Sequence, residues 1–506
     1  MKRGFWLLIC FLLMCAYASP ILGRTESAVA QSKVLRIANL GEYMAGDEGK
    51  DIPALLEVFE EEFDVSVEYS RFDTNERIYN DLKLNKQGDS YGYDLVCVSD
   101  YMIQKMIREG MLEKIENPGV NIPNYMQNVS PYIQEVFEKA GISEYAVGYM
   151  WGTMGYVYNA DYVAHSDALS WMALWNIDYK GKGTLKDSIR DTYFLGLAYV
   201  HRNELNRLAG KYESETACIE ALREVYSAGS SELEDAEEDY REFLNYYAGE
   251  LSRLLNDTSA ETVAKVEAAL KSVSRNIFGY EVDTGKDDMT TGKVYLNLAW
   301  SGDAVYIIEE GGEQFYYAVP REGSNIWFDG WIMPKGANKE LAYKFMEFIS
   351  RPDIVKENME EIGYTSVIAG DEIKEWMMEK YELESSPVEG LLRADLTYFF
   401  KGTGSDEKVY LYYPEEMEGR ALTTQYPDLE IINRCTIMLD FEDEALARVS
   451  DMWVRLRANV LPPWVIILVV AAAAVAIAAL AIILIRRKGG GPRAKKGWTA
   501  VKTEAK

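Results

Sequence analysis

Residues 93–110 read YDLVCVSDYMIQKMIREG, and their pattern changes at residue 99. Residues 93–99 are an apolar run of strand formers. Residues 101–109 then carry apolar side chains at helical spacing and stop at Gly110. The same alternation runs upstream. Residues 34–40 predict a strand, and 53–63 a helix with Leu55, Leu56, Phe59 and Phe63 on one face. Residues 65–72 predict a second strand and 75–84 a second helix. The order βαβαβ predicts a parallel sheet with helices on both faces. In such sheets ligands bind beyond the carboxyl ends of the strands, here 39–44 and 99–101.

Residues 200–275 have a different texture. Residues 231–254 are acidic and helical, and 261–274 place Val263, Val266, Leu270 and Val273 on one stripe. Both predict surface helices of a second lobe, the acidic run being a solvated face. Residues 339–349 predict a further amphipathic helix, stopped by Arg351 and Pro352, and a last helix lies near 453–457.

The two ends carry targeting signals. Lys2 and Arg3, an apolar run over 5–14 and the small residues Ala16 and Ala18 predict a signal peptide over 1–18, with an alternative cleavage after 30. Cys15 as a lipoprotein cysteine is disfavoured by the bulk of Met14 before it. Residues 464–485 are an uncharged run of 22 residues, roughly 33 Å as a helix, enough to span a bilayer. Arg486, Arg487 and Lys488 follow, which predicts a transmembrane helix with a basic cytoplasmic tail over 486–506 and the body outside.

Composition narrows the chemistry. A length of 506 residues and 48% apolar content allow two to three domain-sized units with a sizeable core. The net charge of −28 suits a soluble surface and is compatible with a cationic ligand without establishing one, and the basic tail, explained by topology, calls for no nucleic acid partner. Beyond the leading segment only Cys97, Cys218 and Cys435 remain, too widely spaced for a disulfide framework or a metal motif. His165 and His201 are the two histidines, which makes a zinc site or a His-based triad hard to build. No catalytic residues, metal or cofactor are expected.

An organic cation needs carboxylates for its ammonium groups and aromatic faces for its methylenes. Loop segments supply both. Tyr43 follows the first strand, and Tyr101 follows the 93–99 run. Asp187 and Asp191 flank Arg190 in a polar turn, and Trp300 precedes a Ser-Gly-Asp sequence. Trp327 and Asp329 are two apart, so an extended chain points both to one side. Tyr364 follows Gly363. Taken singly, such aromatics are more often core, and an aspartate at a helix start is more often a cap.

Taken together, seven segments in register resemble bacterial periplasmic spermidine/putrescine-binding proteins. They are NLGEY at 39–43, YDLVCVSDYMIQKMIREGML at 93–112, VGYMWGTMGYVYN at 147–159, ALWNIDYKGKGTLKDSIRD at 173–191, LAWSGDA at 298–304, IWFDGWIMP at 326–334 and IGYTS at 362–366. The resemblance covers about 33–200 and 293–368, and more loosely the rest up to 457. It implies a type II periplasmic-binding-protein fold, an α/β fold of two lobes with hinge crossings. Lobe 1 would comprise 33–150 and 330–380, and lobe 2 would comprise 151–329 and 381–458.

The resemblance further implies that Tyr43, Ser99 and Tyr101 line the first lobe's rim. Trp300 and Trp327 would form aromatic walls, Asp191 and Asp329 would pair with ammonium groups, and Tyr364 would contribute from the last loop. The chain departs from the pattern at Leu40 and Gly41, where the family often has Trp and Thr, and at Ser188, where a second carboxylate is aligned. Asp187 or Asp100 is available to compensate. The implied function is an extracytoplasmic, membrane-anchored polyamine receptor that feeds the permease of an ABC importer and is not an enzyme. The alternatives are a receptor of the same fold for another small cation or solute, and a sensory ectodomain without a transporter.

Overall fold

The strands expected at the start of the body form as β1 (Val34–Leu40), β2 (Ser66–Phe72) and β3 (Leu95–Ser99), pairing in parallel in the order β2-β1-β3. The helices α1 (Ala54–Phe63), α2 (Asn75–Asn85) and α3 (Asp100–Arg108) separate and follow them. Thr74 caps α2 by accepting from the Arg77 amide, and Gly110, at positive φ, follows α3. α1 buries Leu55, Leu56 and Phe59, with the Phe59 ring 5.4 Å from Phe345. The computed structural model describes residues 33–458, apart from 48–50, 52 and 227–228, together with 468, 471, 472 and 474. The expected signal peptide (1–18, or to 30) and cytoplasmic tail (486–506) lie outside the described residues, as does nearly all of the expected span 464–485. Among the described residues no helix is long and apolar enough to cross a membrane.

A long strand, β4 (Ala146–Asn159), is buried along its whole length. Beyond it lies a second parallel triplet, β5 (Gly183–Lys186), β6 (Gly279–Glu281) and β7 (Leu296–Trp300), in the order β7-β5-β6. β8 (Phe315–Ala318) pairs with the far end of β4, and β9 (Ser324–Ile332) runs back antiparallel between β3 and β4. The sheet order is therefore β2-β1-β3-β9-β4-β7-β5-β6. β4 joins the triplets: residues 146–153 pair with β9 and 154–159 with β7 and β8. A parallel triplet on each side means that two sets of strand carboxyl ends face one another.

Between β5 and β6 the chain forms α4 (Ile189–Val200), α5 (Arg202–Val225), α6 (Ser231–Leu255) and α7 (Ala260–Val273). α6 and α7 match expectation. α6 buries Tyr247, Leu251, Leu254 and Leu255, while Glu234, Asp235, Glu238 and Asp239 are exposed. The 24-residue α5 is new, because its buried stripe of Leu205, Leu208, Tyr212, Thr216 and Ile219 is diluted by charged residues.

The expected helix over 339–349 forms with those bounds and stops before Arg351 and Pro352; Pro352 then opens the next helix, Pro352–Ile362, where a missing amide costs nothing. The last helix of the body extends over Asp443–Ala458 rather than 453–457 alone. Residues 397–401 pack on helix Pro131–Lys139. The Ser130 hydroxyl donates to the Phe399 carbonyl at 2.6 Å, and the Tyr132 and Tyr398 rings lie 5.2 Å apart. Aromatic burial there outweighs proximity in sequence.

Gly152 on β4 is closely packed against Trp327 of β9 and against Ser301. A Cβ added there would lie 2.6 Å from Trp327 and closer still to Ser301. Gly152→Ala is expected to lower stability by about 1–3 kcal/mol through overpacking. Urea titration checks it: the midpoint should fall with an unchanged slope, and an unmoved midpoint would show that β9 yields freely.

Candidate functional site

The carboxyl ends of β1, β2, β3, β5, β6 and β7 all open onto one cleft enclosing about 1050 Å³, part of it continuous with solvent. Tyr43, Ser99, Tyr101, Asp191, Trp300, Trp327, Asp329 and Tyr364 line it together, as do Leu40, Gly41, Asp187 and Ser188. The reason is topological. Each of the six strands hands its next residues to the same gap, while β9 crosses its floor and presents Trp327 and Asp329 two residues apart.

On the floor, Asp329 is 5% exposed. Its Oδ2 accepts the Tyr43 hydroxyl at 2.7 Å, and its Oδ1 has no hydrogen-bond partner among the described residues. Burial pushes this carboxyl up to about 6, with Ser99 and Tyr43 holding it down and Asp191 adding to the rise. Tyr43 is itself fixed, since its carbonyl accepts from the Tyr149 hydroxyl at 2.7 Å. Its ring meets Tyr364 edge-on at 4.8 Å, and Tyr364 meets Trp327 at 5.8 Å. Asp100 is also buried: Oδ1 accepts the Tyr101 amide at 2.6 Å, Oδ2 has no partner, and burial raises its carboxyl well above the usual range.

Asp191 does not sit in a free turn. It occupies the first turn of α4, where Ser188 is the cap and accepts from the Asp191 amide at 3.5 Å. Trp300 Nε1 donates to the Asp191 carboxylate at 3.3 Å. Burial raises Asp191, while Ser188 and Trp300 lower it. Ser99 is bound both ways by Asn75: the Asn75 amide donates to its hydroxyl at 2.9 Å, and the Ser99 amide donates to Asn75 at 3.0 Å. The Tyr101 hydroxyl donates to Glu76 at 3.2 Å. Asp187, one expected compensator, is already paired with Arg457 at 2.7 Å.

Sequence reasoning missed much of the far side. Lys186, Arg190, Glu281, Lys286 and Asp303 all line the cleft. Lys186 donates to Asp303 at 2.9 Å and to the Val282 carbonyl at 2.7 Å, and lies 3.1 Å from Glu281. The Tyr364 hydroxyl takes the other Asp303 oxygen at 2.8 Å. Arg190 stacks 4.2 Å from the Tyr101 ring and 3.7 Å from Phe441, and donates to the Leu439 carbonyl at 2.7 Å. Arg190 and Asp303 stood inside quoted motifs, and a lysine ending an apolar strand was a readable signal. Glu281 and Lys286 sit in short, unpatterned segments that no periodicity marks.

The Asp329 carboxyl near 6 lies above its unfolded value of about 3.9, so between those values the folded chain holds more protons and gains stability as pH falls. Asp329→Asn keeps an acceptor for Tyr43 and removes the buried charge. It is expected to stabilise the ligand-free protein by up to about 3 kcal/mol at pH near 7.5, and by little near pH 4. Urea unfolding of both proteins at the two pH values tests this, and equal stability at the higher pH would contradict it.

Residues 54–376 match the family of bacterial extracellular solute-binding proteins. The chain is 27% identical over 353 residues to the spermidine/putrescine-binding periplasmic protein of Escherichia coli, covering 69% of this chain and 82% of that protein. It is 25% identical over 347 residues to the putrescine-binding periplasmic protein PotF of the same organism, covering 67% and 78%. Its fold is similar to the spermidine/putrescine ABC transporter substrate-binding protein of Streptococcus pneumoniae, with a TM-score of 0.53 and 24% identity over 84% of this chain and 99% of that one. With the facing parallel triplets and the cleft between them, the match over 54–376 shows that the chain belongs to the bacterial extracellular solute-binding protein family.

Proposed function

We propose that this protein is an extracytoplasmic receptor that binds a polyamine of the spermidine/putrescine class in this cleft and delivers it to an ABC importer. The observation that carries the reading is charge. Ten carboxylates line the cleft against three basic side chains, Lys186, Arg190 and Lys286. Trp300, Trp327, Tyr43, Tyr101 and Tyr364 provide faces for methylenes between charges. Asp329 Oδ1 and Asp100 Oδ2, both buried and without partners, are acceptors waiting for donors. The relatives named for spermidine and putrescine support the same ligand class.

In this reading Tyr43, Ser99, Tyr101, Asp191, Trp300, Trp327, Asp329 and Tyr364 contact the ligand. The halves built on 33–150 with 330–380 and on 151–329 with 381–458 close over it. Closure excludes water and strengthens each ammonium–carboxylate pair. The leader 1–18 exports the chain, and the apolar run 464–485 with its basic tail holds the body at the outer face of the membrane near the permease. A different small organic cation is the second reading. It is favoured by Leu40 and Gly41, which leave that part of the wall without an aromatic ring.

Calorimetry on the full chain in detergent tests the proposal with putrescine, spermidine, spermine and a neutral amino acid. One polyamine should bind with micromolar affinity or better and the amino acid should not; no binding by any polyamine moves the ligand to another class. Asp329→Asn should weaken binding by about thirtyfold or more, the lower end for unpairing a buried charge. An ammonium needs the ionised carboxylate, so affinity should also fall as pH drops below about 6. A flat pH profile would remove Asp329 from the site.

A further inference from the structure

Lys186 is 1% exposed, yet it stands at the carboxyl end of β5 on the lining of the cleft. Its ammonium has the surroundings expected for a ligand's ammonium. Two carboxylates lie at 2.9 and 3.1 Å, a carbonyl accepts at 2.7 Å, and the Trp300 ring centre is 4.3 Å away. Asp303 spends one oxygen on Lys186 and the other on the Tyr364 hydroxyl. Glu281 pairs its Oε1 with the Lys186 ammonium at 3.1 Å as an ion pair and receives the Gly285 amide on its other oxygen at 2.9 Å. Both carboxylates already have a cation.

The opposite side differs. Asp329 and Asp100 each keep a buried oxygen without a partner. Trp300 joins the two regions, since its ring covers Lys186 while its Nε1 reaches Asp191. A chain of contacts from Lys186 through Asp303, Tyr364 and Tyr43 ends at Asp329. An incoming cation therefore meets unpartnered acceptors at Asp329 and Asp100. At Asp303 and Glu281 it meets a like charge already in place.

We propose that Lys186 is a tethered ammonium that fills one cation subsite of the cleft from within and restricts the receptor to a short diamine rather than a triamine. The proposal rests on the polyamine reading above for its ligand class. The physical reason is that two ammonium groups cannot share Asp303 and Glu281 without unscreened repulsion in a buried setting. A diamine satisfies the unpaired carboxylates and stops short of Lys186. The third ammonium of a triamine would have to displace Lys186 or remain in the mouth of the cleft.

The test compares putrescine and spermidine binding to the full chain and to Lys186→Met, alongside thermal melting of Lys186→Ala with added n-butylammonium. The parent should prefer putrescine, and Lys186→Met should raise the spermidine-to-putrescine affinity ratio by about tenfold or more. Lys186→Ala should melt lower, and butylammonium should raise its melting temperature by several degrees more than it raises the parent's. An unchanged ratio, or a parent that already prefers spermidine, overturns the proposal. If the parent binds neither amine, the polyamine reading fails and butylammonium decides separately: rescue keeps Lys186 as a tethered ammonium, and no rescue removes it.

Discussion

A cleft lined by ten carboxylates and three basic side chains keeps buried oxygens of Asp329 and Asp100 without a partner, and the rest of the structure depends on that constraint. Removing a carboxylate from water without a partner is costly, and burial raises Asp100, Asp191 and Asp329 together. The rest of the structure gives these groups few protein partners. Tyr43 offers Asp329 its one hydroxyl, while its carbonyl accepts from Tyr149. Ser99 accepts the Asn75 amide on its hydroxyl oxygen and gives its own amide to Asn75, which fixes it beside Asp329, where it helps to hold that carboxyl down. Such tension is useful in a receptor, because the energy withheld by the empty site becomes available when a cation arrives.

The backbone that sustains this tension is the antiparallel pairing of β4 with β9. Both strands are buried throughout, and they tie one parallel triplet to the other. Glycines are placed where the two halves come closest. Gly302 opens helix Ser301–Gly311 directly beneath the Tyr364 ring, where any Cβ would collide with it. Gly363, at positive φ, ends the helix before Tyr364 and aims that ring into the cleft. The aromatic wall is thus set by two backbone positions that tolerate no side chain.

Much of this was legible before any coordinates. The alternation of apolar strand and amphipathic helix over 34–110 predicts β1 through α3 almost residue for residue, because those elements are patterned by burial on known faces. The residues Tyr43, Ser99, Tyr101 and Trp300 follow from standing at or near strand ends, and Asp329 from its two-residue spacing with Trp327 inside β9. Asp191 was readable as a residue, but its place in the first turn of α4 depended on Ser188 serving as the cap. The partners of Asp187 and the packing of 397–401 were not readable, since each joins segments hundreds of residues apart.

The sequence by itself determined the class of fold, the strand ends that line the cleft and the acidic, aromatic character of that lining. Those depend on local periodicity, strand direction and residue type. Only the tertiary structure decided how the charges are shared. Lys186 reads in sequence as a lysine closing a short strand. It becomes an internal cation because β6 and helix Ser301–Gly311 bring Glu281 and Asp303 to within about 3 Å of its ammonium. Charge pairing depends on distance in three dimensions, which the linear order of residues does not encode.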